Sequence, residues 1–401
     1  MKLGFAGPVS LKLLSGHVRG GEGLPEGYRF PPMATLIEEY LRRGHRVSVF
    51  TLDPTTPLPR TFQGDRLTIH VGRFRTRARH RAMDFFAAER ADLVSAMREE
   101  PCDIVHAHWT YEFALAAIAS GSPYVVTAHD APLRVLRFLP DAYRGYRFLM
   151  ALWVARRARY LTAVSPYVAE HYRRVLRYRR PIKVVPNGLP DGLFAIGDKR
   201  SKVSNEGLVF ATVLTGWGKL KNGRVALQAF DKVRKAIPEA RLLMFGLGHG
   251  RGEEGAVWAR RNGLSRDVEF VGAIQHPILL KRLASEVDVL VHPSLEEAHP
   301  LSVSEAMALS IPVIGGARSG GVPFTLEDGK AGLLADVRSP ADVARAMLRL
   351  GREDGLRLDL GRAARESACR RFRVARVVDA YEELYEEVLA DWPSGKHGLV
   401  R

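Results

Sequence analysis

The sequence predicts an α/β protein made of two doubly wound, Rossmann-like parallel-sheet domains. Three observations predict it. Short β-rich apolar runs alternate with helix-period segments along nearly the whole chain, the pattern of parallel sheets covered on both faces. A length of 401 residues suits about two to three domains. The alternation breaks only once, in the middle, where a domain boundary belongs.

The elements follow in order. Residues 1–7 meet Gly7-Pro8 at once, so the opening run reads as a first buried strand rather than a signal peptide. Strand-like runs follow at 46–51, 103–106, 124–127 and 160–163, with amphipathic stretches at 32–43, 85–99 and 167–176. The turn chemistry of Pro186-Asn187-Gly188-Leu189-Pro190-Asp191-Gly192 and the polar stretch 197–206 mark the boundary. Strand-like runs resume at 208–213, 241–245, 268–271, 288–291 and 311–314. Along 372–392 the positions Val374, Val377, Val378, Tyr381, Leu384, Tyr385, Val388 and Leu389 form one apolar stripe on a closing helix. Two such domains leave a cleft at the carboxyl ends of their strands, where ligands of these sheets bind.

Composition narrows the function. At 46% hydrophobic and 26% charged residues, the chain is an ordinary globular one. Cys102 and Cys369 stand far apart without ligand spacing, which argues against a disulfide framework or zinc and for a reducing cytoplasm. The apolar stretch 148–164 is broken by Arg156, Arg157 and Arg159, so no bilayer-spanning segment is expected. The net charge of +16 is concentrated in the first half, in one cluster at Arg73, Arg75, Arg77, Arg79 and Arg81 and another at Arg173, Arg174, Arg177, Arg179 and Arg180. Such fields attract polyanions, unless they are simply a solvated basic face. Aromatics are not interleaved as base-stacking platforms require, so an anionic membrane surface or acceptor is favoured over nucleic acid.

The segment from His292 to Ala308 is the most informative. A strand ending at His292, a loop carrying Glu297 and a helix starting near Leu301 place Glu305 about one turn inside that helix. The backbone N–H groups around Leu301 and Ser302 make an anion site at the helix start. A carboxylate beside it suits a ligand that also offers hydroxyls, such as the vicinal diol of a ribose. Taken alone, the segment reads equally as a surface loop and an exposed helical glutamate.

From strand to Ala306-Met307-Ala308 this segment resembles the signature of family 4 glycosyltransferases of the GT-B fold, with its two glutamates. Further pieces agree in order: Gly44-His45-Arg46-Val47, Val164-Ser165, Val185-Pro186-Asn187-Gly188, the 216–223 loop, Gly246-Leu247-Gly248 and Val268-Glu269-Phe270-Val271-Gly272. The resemblance implies a donor domain at 196–372, an acceptor domain at 1–195 and a helix at 373–392 packing back on the latter.

By that resemblance Glu305 holds the ribose hydroxyls of a nucleotide and Glu297 those of the donor sugar. Gly216, Gly218 and Lys221 resemble the phosphate loop, and Gly272 and Ala273 the base-binding strand end. The family's Arg five positions before Lys221 is replaced by Gly216; whether Lys219 takes over its charge is open. His129, in Ala128-His129-Asp130, resembles the family histidine that contacts the transferring sugar or the acceptor, with His106 and His108 weaker candidates. Gly27 matches the first of two glycines ahead of helix one, while Tyr28 replaces the second. The neighbouring stretch His17 to Gly23 reads as an extended loop, either closing over substrates or a glycine-rich insertion.

No Asp-x-Asp, P-loop or nucleophile-elbow motif occurs, and no metal is expected. The implied activity is retaining transfer from a UDP-, GDP- or ADP-sugar to a glycan or lipid-linked acceptor in cell-envelope or exopolysaccharide assembly, in the cytoplasm or peripherally at the inner membrane face. Two rivals stand beside it: a nucleotide-sugar epimerase of the same architecture, and a non-catalytic polyanion-binding protein.

Overall fold

The computed structural model describes residues 1–28, 30–198 and 207–393. The chain divides into two compact units, Met1–Gly188 together with the chain from Val374, and Leu189–Arg373. The division comes earlier than residue 195, because the helix Asp191–Asp198 buries Leu193 and Phe194 in the second unit's core. Part of the expected polar stretch, 199–206, lies outside the described residues.

The first unit is an eight-stranded sheet of β1 (Lys2–Ala6), β2 (Arg46–Asp53), β3 (Arg60–Gln63), β4 (Leu67–Arg73), β5 (Ile104–His108), β6 (Tyr124–Ala128), β7 (Leu161–Ala163) and β8 (Ile182–Val184), in the order β3-β4-β2-β1-β5-β6-β7-β8. All neighbours pair in parallel except β3 with β4. The central strands are buried along nearly their whole length, which explains their continuous apolar runs. The hairpin strand β3 alternates, with only Phe62 buried, and reads weakly in the sequence for that reason.

The helix Val374–Asp391 belongs to this unit. Its stripe from Val374 to Val388 is buried with Leu3, Phe5 and Tyr40, at roughly 1.5–3 kcal/mol for each large apolar side chain. The stretch His17 to Gly23, expected to be an extended loop, is instead folded together with the residues before it. Leu11–His17 and Gly21–Gly23 are short 3-10 helices that bury Leu11, Leu14 and Gly21. Leu11, Leu14, Val18 and Leu24 anchor the segment to the core.

The second unit is a six-stranded, all-parallel sheet of β9 (Val209–Val213), β10 (Arg241–Phe245), β11 (Val268–Gly272), β12 (Val289–His292), β13 (Val313–Gly316) and β14 (Leu333–Ala335), in the order β11-β10-β9-β12-β13-β14. Apolar clusters fill both of its faces. In each unit the strand order turns once, between β1 and β5 and between β9 and β12. Loops leaving adjacent strands on either side of such a switch diverge, and the crevice between them is where open α/β sheets bind ligands.

The two basic clusters differ in how far the fold engages them. Arg73 pairs with Asp92 at 2.8 Å, and Arg75 with Asp84 at 2.7 Å and with the buried Glu89 at 2.6 Å. Arg81 lies over the Phe74 ring at 3.9 Å. Two of the five arginines are therefore paired with carboxylates within the fold and a third is packed on a ring, while Arg77 and Arg79 are exposed. In the other cluster Arg174 pairs with Glu170, while Arg173, Arg177, Arg179 and Arg180 are exposed. Among the described residues no helix is long and apolar enough to cross a membrane.

Candidate active site

In the second unit the loops after β9 and β12, on the two sides of the switch point, carry Lys221 and Glu297. Lys221 Nζ lies 2.6 Å from Glu297 Oε1, joining positions 76 residues apart. The backbone holds the pair in place. Leu295 N–H donates to Leu220 O at 2.8 Å and Gly321 N–H to Glu297 O at 2.7 Å. Asn222, in the left-handed region at φ 56°, donates from Nδ2 to Pro293 O at 3.0 Å and Val337 O at 2.6 Å. The helix Gly223–Ala236 starts directly after it.

Burial pushes the Glu297 carboxyl up. The opposing charge of Lys221 and the nearby His292 imidazole, whose Nε2 is 3.4 Å from Oε1, outweigh it and hold the group down at about 2. Glu297 is thus an ionised carboxylate, only 15% exposed, locked to a cation at a strand end.

The glycines of the 216–223 loop stand where close backbone approach is possible. Gly216 has φ 94°, and a Cβ there or at Gly218 would meet nothing within 4 Å. For Gly216 the backbone angle, not lack of space, requires glycine. Its N–H donates to Leu247 O at 2.8 Å, and Gly246 N–H donates to Gly272 O at 2.8 Å. Lys219 is exposed. A band of backbone hydrogen bonds therefore links Gly272, the 246–248 turn and the 216–221 loop to the loop bearing Glu297. Ala273 follows Gly272 and is exposed.

Glu305 lies in the second turn of the helix Leu301–Ala308, whose first residues, Leu301 and Ser302, are half-buried. Its Oε1 is 2.8 Å from Nε2 of His276, the first residue of the helix His276–Glu286 that follows β11. The hydrogen bond that His276 donates to the Glu305 carboxylate is the main cause that raises its imidazole above the ordinary value, and burial works against it. His276, His292 and Asn222 escape a reading by sequence. Only His276 carries a hint, as a histidine just past the strand end that the resemblance assigns to the base.

The first unit places His129 at the carboxyl end of β6, with its Nε2 2.9 Å from His108 Nδ1 and its ring edge-on to Phe30 at 5.2 Å. His108 is buried, and burial pushes its imidazole down to about 3, so His129 abuts a neutral ring. His106 bonds Tyr385 and Thr127, each at 2.6 Å, and is a core residue. Gly27 N–H donates to Asp53 Oδ2 at 2.9 Å, and a Cβ there would stand 2.4 Å from Val9 O. With φ at 68° as well, both packing and backbone conformation restrict that position to glycine. Among the described residues no group of three or more His, Cys, Asp or Glu side chains could hold a metal ion.

The two sheets, each with one switch point and charged side chains gathered at its strand ends, define a protein of two doubly wound α/β units. Residues 33–192 match Glycosyltransferase Family 4 and residues 198–367 match Glycosyl transferases group 1. The chain belongs to this family of GT-B glycosyltransferases, enzymes that use nucleotide sugars. N-acetyl-alpha-D-glucosaminyl L-malate synthase of Bacillus anthracis is 26% identical over 76% of this chain and 80% of its own length. D-inositol 3-phosphate glycosyltransferase of Acidothermus cellulolyticus is 28% identical over 88% and 79%. Among solved structures, Anabaena HepE in complex with UDP superposes with a TM-score of 0.68 at 18% identity, covering 96% of this chain and all of that one (100%).

Proposed function

We propose that the second unit binds the donor nucleotide sugar at the β9–β12 switch point and that the protein transfers the sugar with retention of configuration. The carrying observation is the Lys221–Glu297 pair at 2.6 Å, beside a glycine-rich loop that opens a helix. Lys221 and the free N–H groups of that loop take the diphosphate, with Lys219 as the second cation in place of the absent Arg. Glu297 accepts hydrogen bonds from the donor sugar and Glu305 from the ribose, each charged hydrogen bond contributing about 1.5–3 kcal/mol. Gly272 and Ala273 face the base, and the N–H groups at Leu301 and Ser302 add positive potential.

In the transfer the anomeric C–O bond to the diphosphate breaks, and the acceptor hydroxyl forms the new bond on the face the diphosphate leaves. The hydroxyl proton passes to the departing phosphate oxygen. Lys221 stabilises the charge that develops there, which lowers the barrier most. A donor phosphate competes with Glu297 for Lys221, so donor binding exchanges one ion pair for another. His129 is the residue of the first unit proposed to contact the transferring sugar or acceptor, and the hydroxyl acceptor is a glycan or lipid-linked sugar. The exposed Arg173, Arg177, Arg179 and Arg180 support a protein working at an anionic membrane face in envelope or exopolysaccharide assembly. UDP bound to the HepE neighbour makes UDP the first nucleotide to try.

A thermal-shift panel of UDP, GDP and ADP and their sugars, followed by hydrolysis and transfer assays on the hit, tests the reading. Stabilisation by one nucleoside diphosphate, lost in Glu305→Ala, is expected. No shift with any of them sinks it.

A further inference from the structure

We propose that His276 is a positioning residue for Glu305, fixing one carboxylate oxygen so that the other is presented to the ribose hydroxyls. The inference rests on the nucleotide reading above and adds a residue that the family signature does not contain.

Three observations carry it. The pair is direct, Nε2 to Oε1 at 2.8 Å, between two helices 29 positions apart in the chain. The two side chains differ in exposure, 12% for Glu305 against 47% for His276, so the carboxylate is largely withdrawn from water. The imidazole forms the open rim beside it. A carboxylate withdrawn from water without a partner tends to take up a proton or turn away; a single N–H on Oε1 keeps it charged and oriented. Oε2, and one lone pair of Oε1, remain for a diol. Finally, His276 opens its helix, where the helix dipole disfavours a cation. Its own helix therefore gives no reason for an imidazolium, and Glu305 gives one.

The surroundings leave Glu305 as its charged neighbour. On the packed helix Asp191–Asp198, Asp191 is held by Arg373 and Asp198 by Arg365. On its own helix Arg282 is engaged by Glu269 and Glu286, and Lys281 is exposed. The sign follows: His276 is charged below its raised value and loses its proton as the pH rises through it. Nucleotide binding that depends on the charged pair is strongest at mildly acidic pH and weakens toward alkaline pH.

Calorimetric titration of the full chain with UDP, or with GDP or ADP if one of these binds instead, from about pH 6 to 9 tests this. His276→Ala is expected to weaken binding about fivefold at the acid end, where a charged hydrogen bond is lost, and to flatten the pH profile. His276→Gln keeps an N–H donor near the same place and is expected to recover most of the affinity while staying flat with pH. KM for the donor should move with little change in kcat. Wild-type affinity in His276→Ala, or an unchanged pH slope in both variants, overturns the proposal. Glu305→Ala separates the two failures. If it loses binding while His276→Ala does not, only the role of His276 falls. If Glu305→Ala binds normally, or the wild type binds no nucleoside diphosphate, both readings fall.

Discussion

Glu297 and Glu305 stand on one loop-and-helix segment, yet the protein handles them in opposite ways. Glu297 is tied to a lysine from another loop and backed by a buried histidine, and its carboxyl is driven far below the ordinary range. Glu305 meets a half-exposed histidine whose own proton is the variable one. The first pair is a strong internal contact that the proposed donor would have to displace; the second is one it could share. The contrast teaches that spacing in sequence assigns neither role, because the partner reaching in from elsewhere decides how each carboxylate behaves.

Breaking the first pair has the largest expected effect. Lys221→Ala removes the cation proposed for the leaving diphosphate, and kcat/KM should fall on the order of a hundredfold, as read by steady-state transfer assays. It also removes the main force that lowers Glu297. In the wild type that contribution is complete above the ordinary carboxyl value of 4.5 and is lost as the pH falls toward about 2. Acid titration followed by circular dichroism should therefore show Lys221→Ala unfolding at higher pH than the wild type.

The arginine clusters repeat the contrast between engaged and open charge. Arg75→Ala leaves the fully buried Glu89 carboxylate without its guanidinium. That should cost about 3 kcal/mol and lower the melting temperature by several degrees. A smaller effect sharpens the glutamate comparison: Glu305→Ala should weaken nucleoside diphosphate binding at least about tenfold, or roughly 1.4 kcal/mol, without the acid-stability change. Calorimetry showing unchanged affinity would remove Glu305 from the site. The smallest change in stability is expected for alanine at Arg173, Arg177, Arg179 and Arg180 together. Melting should not move, whereas sedimentation with vesicles containing anionic lipid should show weaker binding, by up to about 1 kcal/mol per residue. Unchanged vesicle binding would leave this cluster a solvated face.

Much of the fold was legible in order. Buried parallel strands such as β2, β9 and β12 appear as β-rich, mostly apolar runs, and the stripe from Val374 to Val388 announces its helix. β3, half-exposed on an edge, and β8 and β14, three residues each, are too short or too mixed to stand out. The arginine run at 73–81 reads as open charge because its carboxylates, Asp84 in a turn and Glu89 and Asp92 on the helix after it, are brought to it by packing that periodicity does not reveal. Gly27 looked like part of a ligand loop. The structure adds a packing reason that sequence does not show, since a Cβ there would meet Val9 O, eighteen positions earlier in the chain.

By itself the sequence determined the class of sheet, the order of its strands along the chain and the segment carrying both glutamates, because burial and turn chemistry are written locally in residue type. Tertiary structure alone decided which strands adjoin and therefore where the order turns. It also decided that Lys221 meets Glu297 and that His276 meets Glu305. Pairings across tens of residues depend on how sheets close and helices pack, and charge partners come together only when that packing removes them jointly from water.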